Sequence, residues 1–206
     1  MLRVGLTGGI ASGKSTVASM LRDHDYPVLD ADALAHELLE PGQDAYHEVV
    51  REFGEGILRA DGAVDRKKLG AIVFADPEKR ARLNQILHPR IRDISVKWFT
   101  ALDHPGAPEM AFEDAALILE AGLNENFDRV VVCWCRPEQQ LKRLKERGLS
   151  EEEAQRRIAS QLPMDEKRRL ADEVIDCSRS IEETEQQVVL LVAKLKQAAA
   201  ATRSVS

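Results

Sequence analysis

The chain has 206 residues, of which 44% are hydrophobic and 31% are charged, a balance typical of a soluble globular protein with one well-filled core. Its formal net charge of −6 argues against nucleic acid or an anionic membrane surface as a partner. No apolar run is long enough for a signal peptide or a membrane span, and three cysteines are too few for a disulfide framework. We therefore expect a cytoplasmic protein. We also expect a monomer or a weak homo-oligomer.

Short apolar runs alternate with helical patterns, which predicts an α/β fold with a parallel sheet and right-handed crossovers. The predicted strands cover residues 2–7, 26–30, 110–115, 129–135 and 174–176, and a helix over 15–22 follows the first of them. The fourth strand is the clearest, because it is rich in β-branched residues. It contains Cys133 and Cys135, which have no second ligand pair at metal spacing and are interpreted as core residues rather than a zinc site.

The segment between the second and third strands, residues 33–107, carries no strand signal. Helical patterns occur in it at 45–53, 66–74, 78–87 and 91–102. Because this is too long for a simple crossover, it predicts an inserted helical lobe. Its position directly after the second strand favours a substrate-binding lobe over additional scaffold. The core then comprises 1–32, 108–140 and 171–198.

Two helix starts are marked by a serine with a glutamate three residues later, the capping-box pattern. Ser150 precedes a charged segment over 151–161, which is predicted to be exposed and mobile and lies within a predicted lid, residues 141–170. Ser180 precedes a helix whose apolar face should pack on the sheet; that face consists of Val188, Leu191, Val192 and Leu195. The small, polar tail over 199–206 is expected to fray.

The sequence L-T-G-G-I-A-S-G-K-S-T, residues 6–16, satisfies the P-loop pattern G-x-x-x-x-G-K-[ST] between a strand and a helix. Glycine at Gly8, Gly9 and Gly13 lets successive backbone N–H groups face one anion, at the positive end of the following helix dipole. Lys14 can reach the β- and γ-phosphates of a nucleoside triphosphate, and the Ser15 hydroxyl is placed to ligate Mg²⁺. The amides of Ala11 and Ser12, with Thr16, complete the predicted site.

The sequence D-A-D, from Asp30 to Asp32, lies at the carboxyl end of the second strand, where open α/β sheets bind ligands. A carboxylate here could accept the proton of an acceptor hydroxyl, and we favour Asp32 for this role. The alternative is that Asp32 only caps the helix that follows. Asp30 is a second candidate, for the metal ion.

Arginines cluster in L-K-R-L-K-E-R and Q-R-R-I, residues 141–147 and 155–158. An arginine close to a transferring phosphoryl group neutralises the charge on its oxygens, and Arg143, Arg147 and Arg157 are the candidates. For most residues of these segments, a solvated helix face with i,i+4 ion pairs is the better interpretation.

Together with V-L-D-A-D and L-N-Q-I-L-H-P-R-I (83–91), this P-loop makes the chain closely resemble the dephospho-coenzyme A kinases. The match continues through L-I-L-E-A-G-L (117–123), R-I-A-S-Q (157–161) and A-D-E-V-I-D (171–176), nearly the whole chain. The resemblance implies a three-layer P-loop nucleotide-kinase fold, with a five-stranded parallel sheet, a helical CoA-binding lobe and a lid. It also implies transfer of the γ-phosphate of ATP to the ribose 3′-hydroxyl of dephospho-CoA, with ATP and Mg²⁺.

The resemblance assigns roles to individual positions. ATP phosphates are expected at Ala11 to Thr16, a base-like role at Asp32, substrate contacts at His88, Pro89 and Arg157, and a lid arginine at Arg143 or Arg147. One departure is Cys177, which stands where the family commonly has asparagine and so changes any side-chain contact to adenine there. The alternatives are a kinase for another small hydroxyl or nucleotide acceptor, and a non-catalytic ATP-binding regulator; the chain has no N-K-x-D signature of a GTPase.

Overall fold

The computed structural model describes residues 1–203. The chain forms two compact units, one made of Met1–Asp30 and the chain from Phe99 onward, the other of Ala31–Trp98. The sequence predicts an inserted lobe over 33–107; the second unit begins at Ala31, and residues 99–107 belong to the first unit. None of the helices in the described part of the chain has the length and apolar character needed to cross a membrane.

The first unit contains a five-stranded sheet in which all the strands are parallel, in the order β2-β3-β1-β4-β5. The strands are β1 (Leu2–Gly8), β2 (Val28–Asp30), β3 (Met110–Asp114), β4 (Arg129–Trp134) and β5 (Glu173–Asp176). The predicted five-stranded parallel sheet is confirmed, although β2 is shorter than predicted. β1 is buried almost throughout, as expected for a central strand covered on both faces.

Helices pack against this sheet through the apolar faces that the sequence shows. In α1 (Lys14–Asp23), Val17 and Leu21 are fully buried, and α9 (Ile181–Arg203) contributes Val188, Leu191 and Leu195 to the same core. Each such side chain contributes roughly 1.5–3 kcal/mol when it leaves water. These contacts hold α1 in place, and the N-terminus of α1 directly follows the P-loop.

The carboxyl ends of the strands meet at one edge of the sheet, which positions the site. Asp114, the last residue of β3, is in register with Leu6 of β1 and with Asp30 of β2. On the other side of β1, Gly8 is in register with Cys133. The P-loop therefore leaves the sheet beside β3, which ends at Asp114, and β2, which ends at Asp30, is the next strand beyond β3.

The predicted lid region contains α7 (Glu151–Ala159) and α8 (Met164–Leu170), and α6 (Pro137–Glu146) begins before it. The predicted cap is present, because the Ser150 hydroxyl accepts the Glu153 N–H. At α9 the capping box is reciprocal: Ser180 Oγ accepts from Glu183 N–H, and Glu183 Oε2 accepts from Ser180 N–H, each at 3.1 Å.

The chain remains helical beyond residue 198, where the sequence places the beginning of a frayed tail. α9 continues to Arg203, because alanine is the strongest helix former and Ala199 is buried in the core. The rest of the predicted tail, residues 204–206, lies outside the described residues.

The second unit is helical, with α2 (Ala31–Glu37), α3 (Asp44–Phe53), α4 (Arg66–Ala75) and the portion of α5 (Pro77–Leu102) that ends at Trp98. Its own core includes Ala45, Val49, Ile57, Leu69, Val73, Ile86 and Leu87. The sequence predicts two helical segments where α5 is continuous through Pro89. Ile86 and Leu87 are buried on its inner face, and the Arg90 guanidinium donates to the Ile86 carbonyl at 2.6 Å. This bond and the burial offset the helix hydrogen bond that proline cannot make.

Candidate active site

The P-loop occupies the turn between β1 and α1 and has the left-handed backbone that an anion-binding loop requires. Gly13 has φ 109° and Ala11 has φ 58°. The left-handed conformation of Ala11 costs about 1–2 kcal/mol, because Ala11 is not a glycine. The loop is closed by hydrogen bonds from Ser12 N–H to the Gly9 carbonyl at 3.1 Å and from Thr16 N–H to the Gly13 carbonyl at 3.0 Å. Ser15 and Thr16, in the first turn of α1, are exposed.

Lys14 forms an ion pair with Asp114, the carboxylate at the end of β3. Both side chains are largely buried, at 13% and 5% exposure, so the pairing offsets part of the cost of burying each charge. Asp114 is not among the residues that the sequence predicts for this site. The position of Asp114 at a strand end beside β1 is the signal that could have placed it in this site.

Two carboxylates that could bind a metal ion lie at the ends of adjacent strands: Asp30 of β2 is in register with Asp114 of β3. Ser15, in the first turn of α1, offers a hydroxyl as a further oxygen ligand. Hard oxygen donors of this kind suit Mg²⁺, which keeps several waters and binds through one or two carboxylates and substrate phosphates. Within residues 1–203, no group of three or more His, Cys, Asp or Glu residues could hold a metal ion by itself.

Side chains from α6, α8 and the segment between α7 and α8 form hydrogen bonds with the P-loop backbone. The contacts are Gln161 Oε1 accepting from Ile10 N–H at 2.7 Å, Gln140 Nε2 donating to the Ile10 carbonyl at 2.7 Å, Arg143 Nη1 donating to the Ala11 carbonyl at 3.1 Å, and Lys167 Nζ donating to the Gly8 carbonyl at 3.2 Å. The packing at Gly9 is tight: a Cβ there would lie 2.5 Å from Gln140 Nε2 and from Met164 Sδ, so both side chains would have to shift.

The three predicted arginines have different surroundings. Arg143 lies at the P-loop. Its guanidinium donates hydrogen bonds to the Ala11 carbonyl and, at 2.8 Å, to the Cys177 carbonyl. Arg147, directly after α6, is exposed and lines a cavity beside the P-loop that Arg143 also lines. Arg157 forms an i,i+4 ion pair with Glu153 at 2.6 Å, the alternative that the sequence left open for this cluster.

A cavity of 230 Å³ opens beside the P-loop, lined by loop residues including Gly13 and Thr16, by Arg143 and Arg147, and by Cys177 with the start of α9. All three cysteines are free and buried. A hydrogen bond with Cys133 and the nearby Arg143 charge lower the pKa of Cys177 despite burial, whereas burial raises the pKa of Cys133.

The remaining predicted residues belong to the second unit. α2 begins at Ala31, so Asp32 lies within the first helical turn rather than at the N-cap position that the alternative interpretation requires. In α5, His88 is half-buried and Pro89 is exposed. Burial lowers the pKa of His88 and favours its neutral form.

A family model described as dephospho-CoA kinase matches residues 2–183 of this chain. The chain belongs to the dephospho-CoA kinase family. It is 47% identical over 192 residues to the dephospho-CoA kinase of Geobacillus kaustophilus, covering 93% of this chain and 95% of that protein.

Two solved structures share the fold of this chain. The crystal structure of TT1252 from Thermus thermophilus has a TM-score of 0.77 at 33% identity and covers 94% of this chain and 97% of its own. Dephospho-CoA kinase from Campylobacter jejuni has a TM-score of 0.68 at 29% identity, with 95% and 98% covered. The predicted P-loop kinase fold is thereby confirmed.

Proposed function

We propose that this chain transfers the γ-phosphate of ATP to the ribose 3′-hydroxyl of dephospho-CoA, giving coenzyme A, the last step of coenzyme A synthesis. The proposal rests on one observation: this member of the dephospho-CoA kinase family has a P-loop whose Lys14 is paired with Asp114 at the end of β3. A loop with this backbone binds a triphosphate through its amides and the amino end of α1.

The residues of the chain have distinct roles in the proposed reaction. The amides from Ala11 to Thr16 bind the phosphates, while the Lys14 ammonium stabilises charge on the transferring group. Arg143, on α6, and Arg147, directly after α6, neutralise charge on the equatorial oxygens of the transferring phosphoryl group. Arg143 keeps two bonds to backbone carbonyls, which hold its guanidinium beside the loop.

Asp32 accepts the proton of the ribose hydroxyl as its oxygen attacks the γ-phosphorus and the bond to the β-phosphate bridging oxygen breaks. Much of its contribution is orientation, since the hydroxyl loses its proton late in a loose transition state. His88, Pro89 and Arg157 are assigned to binding of the acceptor.

Ser15 with Asp30 or Asp114 would hold the proposed metal ion, Mg²⁺, which would supply positive charge to neutralise the phosphate oxygens. We assign the enzyme to the cytoplasm, because free cysteines suit a reducing compartment. We propose no nucleic acid partner and a monomer or weak homo-oligomer, which sedimentation velocity would test.

An acceptor panel tests the proposed function. The chain is incubated with ATP and Mg²⁺ and either dephospho-CoA, adenosine monophosphate or shikimate, and ADP is measured. We expect ADP only with dephospho-CoA. ADP formed with another acceptor would favour a different small-molecule kinase, and ATP binding without transfer to any acceptor would favour a regulator.

A further inference from the structure

Lys167, on α8, is a charged residue with no exposed surface. Its ammonium donates to the Gly8 carbonyl at 3.2 Å and to the Ala116 carbonyl at 2.9 Å, and lies 2.8 Å from Glu120 Oε1. All three of its N–H donors therefore have an acceptor. Burial lowers the pKa of Lys167, and Glu120 opposes that shift. A lysine this deeply buried is costly unless it is paired and hydrogen-bonded.

The two carbonyls belong to the segments that carry the Lys14–Asp114 pair. Gly8 is the last residue of β1, where the P-loop begins, and Ala116 follows Asp114 by two positions. The Ala116 carbonyl also accepts from the Thr7 hydroxyl at 3.1 Å, so both of its lone pairs are used. One ammonium thus ties the beginning of the P-loop to the chain just beyond β3.

The pair that Lys167 forms with Glu120 is poorly arranged for stability alone. Glu120 Oε1 also accepts from Leu162 N–H at 3.1 Å, but among the described residues Glu120 Oε2 is buried without a hydrogen-bond partner. A buried ion pair often stabilises no better than apolar residues of the same volume. The carbonyl contacts give the ammonium a use that an apolar side chain could not replace.

We propose that Lys167 is a positioning residue for nucleotide binding: by bonding Gly8 and Ala116 together, it sets the P-loop against the strand end that carries Asp114. It acts through the backbone and not on the substrate. The proposal rests on the function proposed for the same site. Glu120 has the separate task of compensating the buried charge.

Three variants separate positioning from charge compensation: Lys167→Met, Glu120→Gln and the double variant that combines them. Mg-ATP affinity is measured by calorimetry without acceptor, with thermal melting alongside. Lys167→Met leaves Glu120 unpaired and should lose stability; the double variant has neither buried charge and should recover it. Trp134 fluorescence reports whether α8 stays in place, since its indole N–H donates to Asp165 at 3.3 Å.

We expect the double variant to be stable yet to bind Mg-ATP about tenfold more weakly than the wild type, because hydrogen bonds from a charged donor are lost. Its KM for dephospho-CoA should not change. Glu120→Gln keeps both carbonyl bonds and should bind Mg-ATP within about twofold of the wild type. Lys142→Met is the matched control, since Lys142 is on α6 with 77% of its side chain exposed.

A double variant that binds Mg-ATP as tightly as the wild type would overturn the proposal. A double variant that fails to fold while Glu120→Gln folds would also overturn it, because Lys167 would then be structural only. If the wild type binds ATP but phosphorylates no dephospho-CoA, the proposed function fails, and the binding measurements still decide the role of Lys167.

Discussion

Lys14→Ala should damage both stability and activity, for separable reasons. Removal of the ammonium leaves Asp114 with 5% of its side chain exposed and without this counter-ion, and breaking a buried pair costs about 3–5 kcal/mol. That is a large part of the roughly 5–15 kcal/mol that stabilises a typical domain. The value of 5 kcal/mol is an upper limit, because Asp114 in the variant can take up a proton and so lose its charge. Loss of a preorganised charge should lower kcat on the order of 10²–10³-fold.

The double variant Lys14→Ala/Asp114→Asn separates the two effects. Urea unfolding should show that most of the lost free energy returns, because the carboxylate that lost its lysine counter-ion is also neutralised. Steady-state kinetics should show that activity does not return. Near-native turnover in Lys14→Ala would refute the P-loop assignment. Unchanged stability in Lys14→Ala would refute the argument from the buried pair.

Three further predictions concern single residues. Asp32→Asn should lower kcat about a hundredfold or more with little change in the KM for ATP; near-wild-type turnover would remove Asp32 as the base. Burial lowers the pKa of His88, so the unfolded chain binds more protons as pH falls through about 6.5 and stability decreases there; urea unfolding of His88→Gln should show a smaller loss, and an equal loss would contradict this. Thiol reagents should modify Cys177 first, because its pKa is lowered while burial raises that of Cys135 to about 11; mass spectrometry should show that ATP slows the reaction, and modification of Cys135 first would be the opposite result.

Secondary-structure elements that are determined by residues close together in the sequence were predicted from local sequence patterns. The apolar runs located all five strands, and Ser180 with Glu183 marked the start of α9 through a reciprocal cap. The P-loop was predictable for the same reason, since its glycines and Lys14 are contiguous in sequence. The order of the strands, β2-β3-β1-β4-β5, was not predicted, because it depends on pairing between strands that lie far apart in the chain.

Features that depend on distant contacts were not predictable. A proline normally ends a helix, but α5 continues through Pro89 because Ile86 and Leu87 are buried and Arg90 donates to the Ile86 carbonyl. Lys167 lies in a charged segment, D-E-K-R-R, which predicts solvent exposure. Its burial depends on a glutamate and two carbonyls far away in the chain.

The site of phosphorylation on the acceptor tests the central claim most directly. Dephospho-CoA is incubated with the chain, ATP and Mg²⁺, and the product is analysed by mass spectrometry and phosphorus NMR. We predict stoichiometric ADP and a product with one added phosphoryl group, esterified to the ribose 3′-oxygen. An unmodified acceptor, or a phosphoryl group on any other oxygen, would contradict the account.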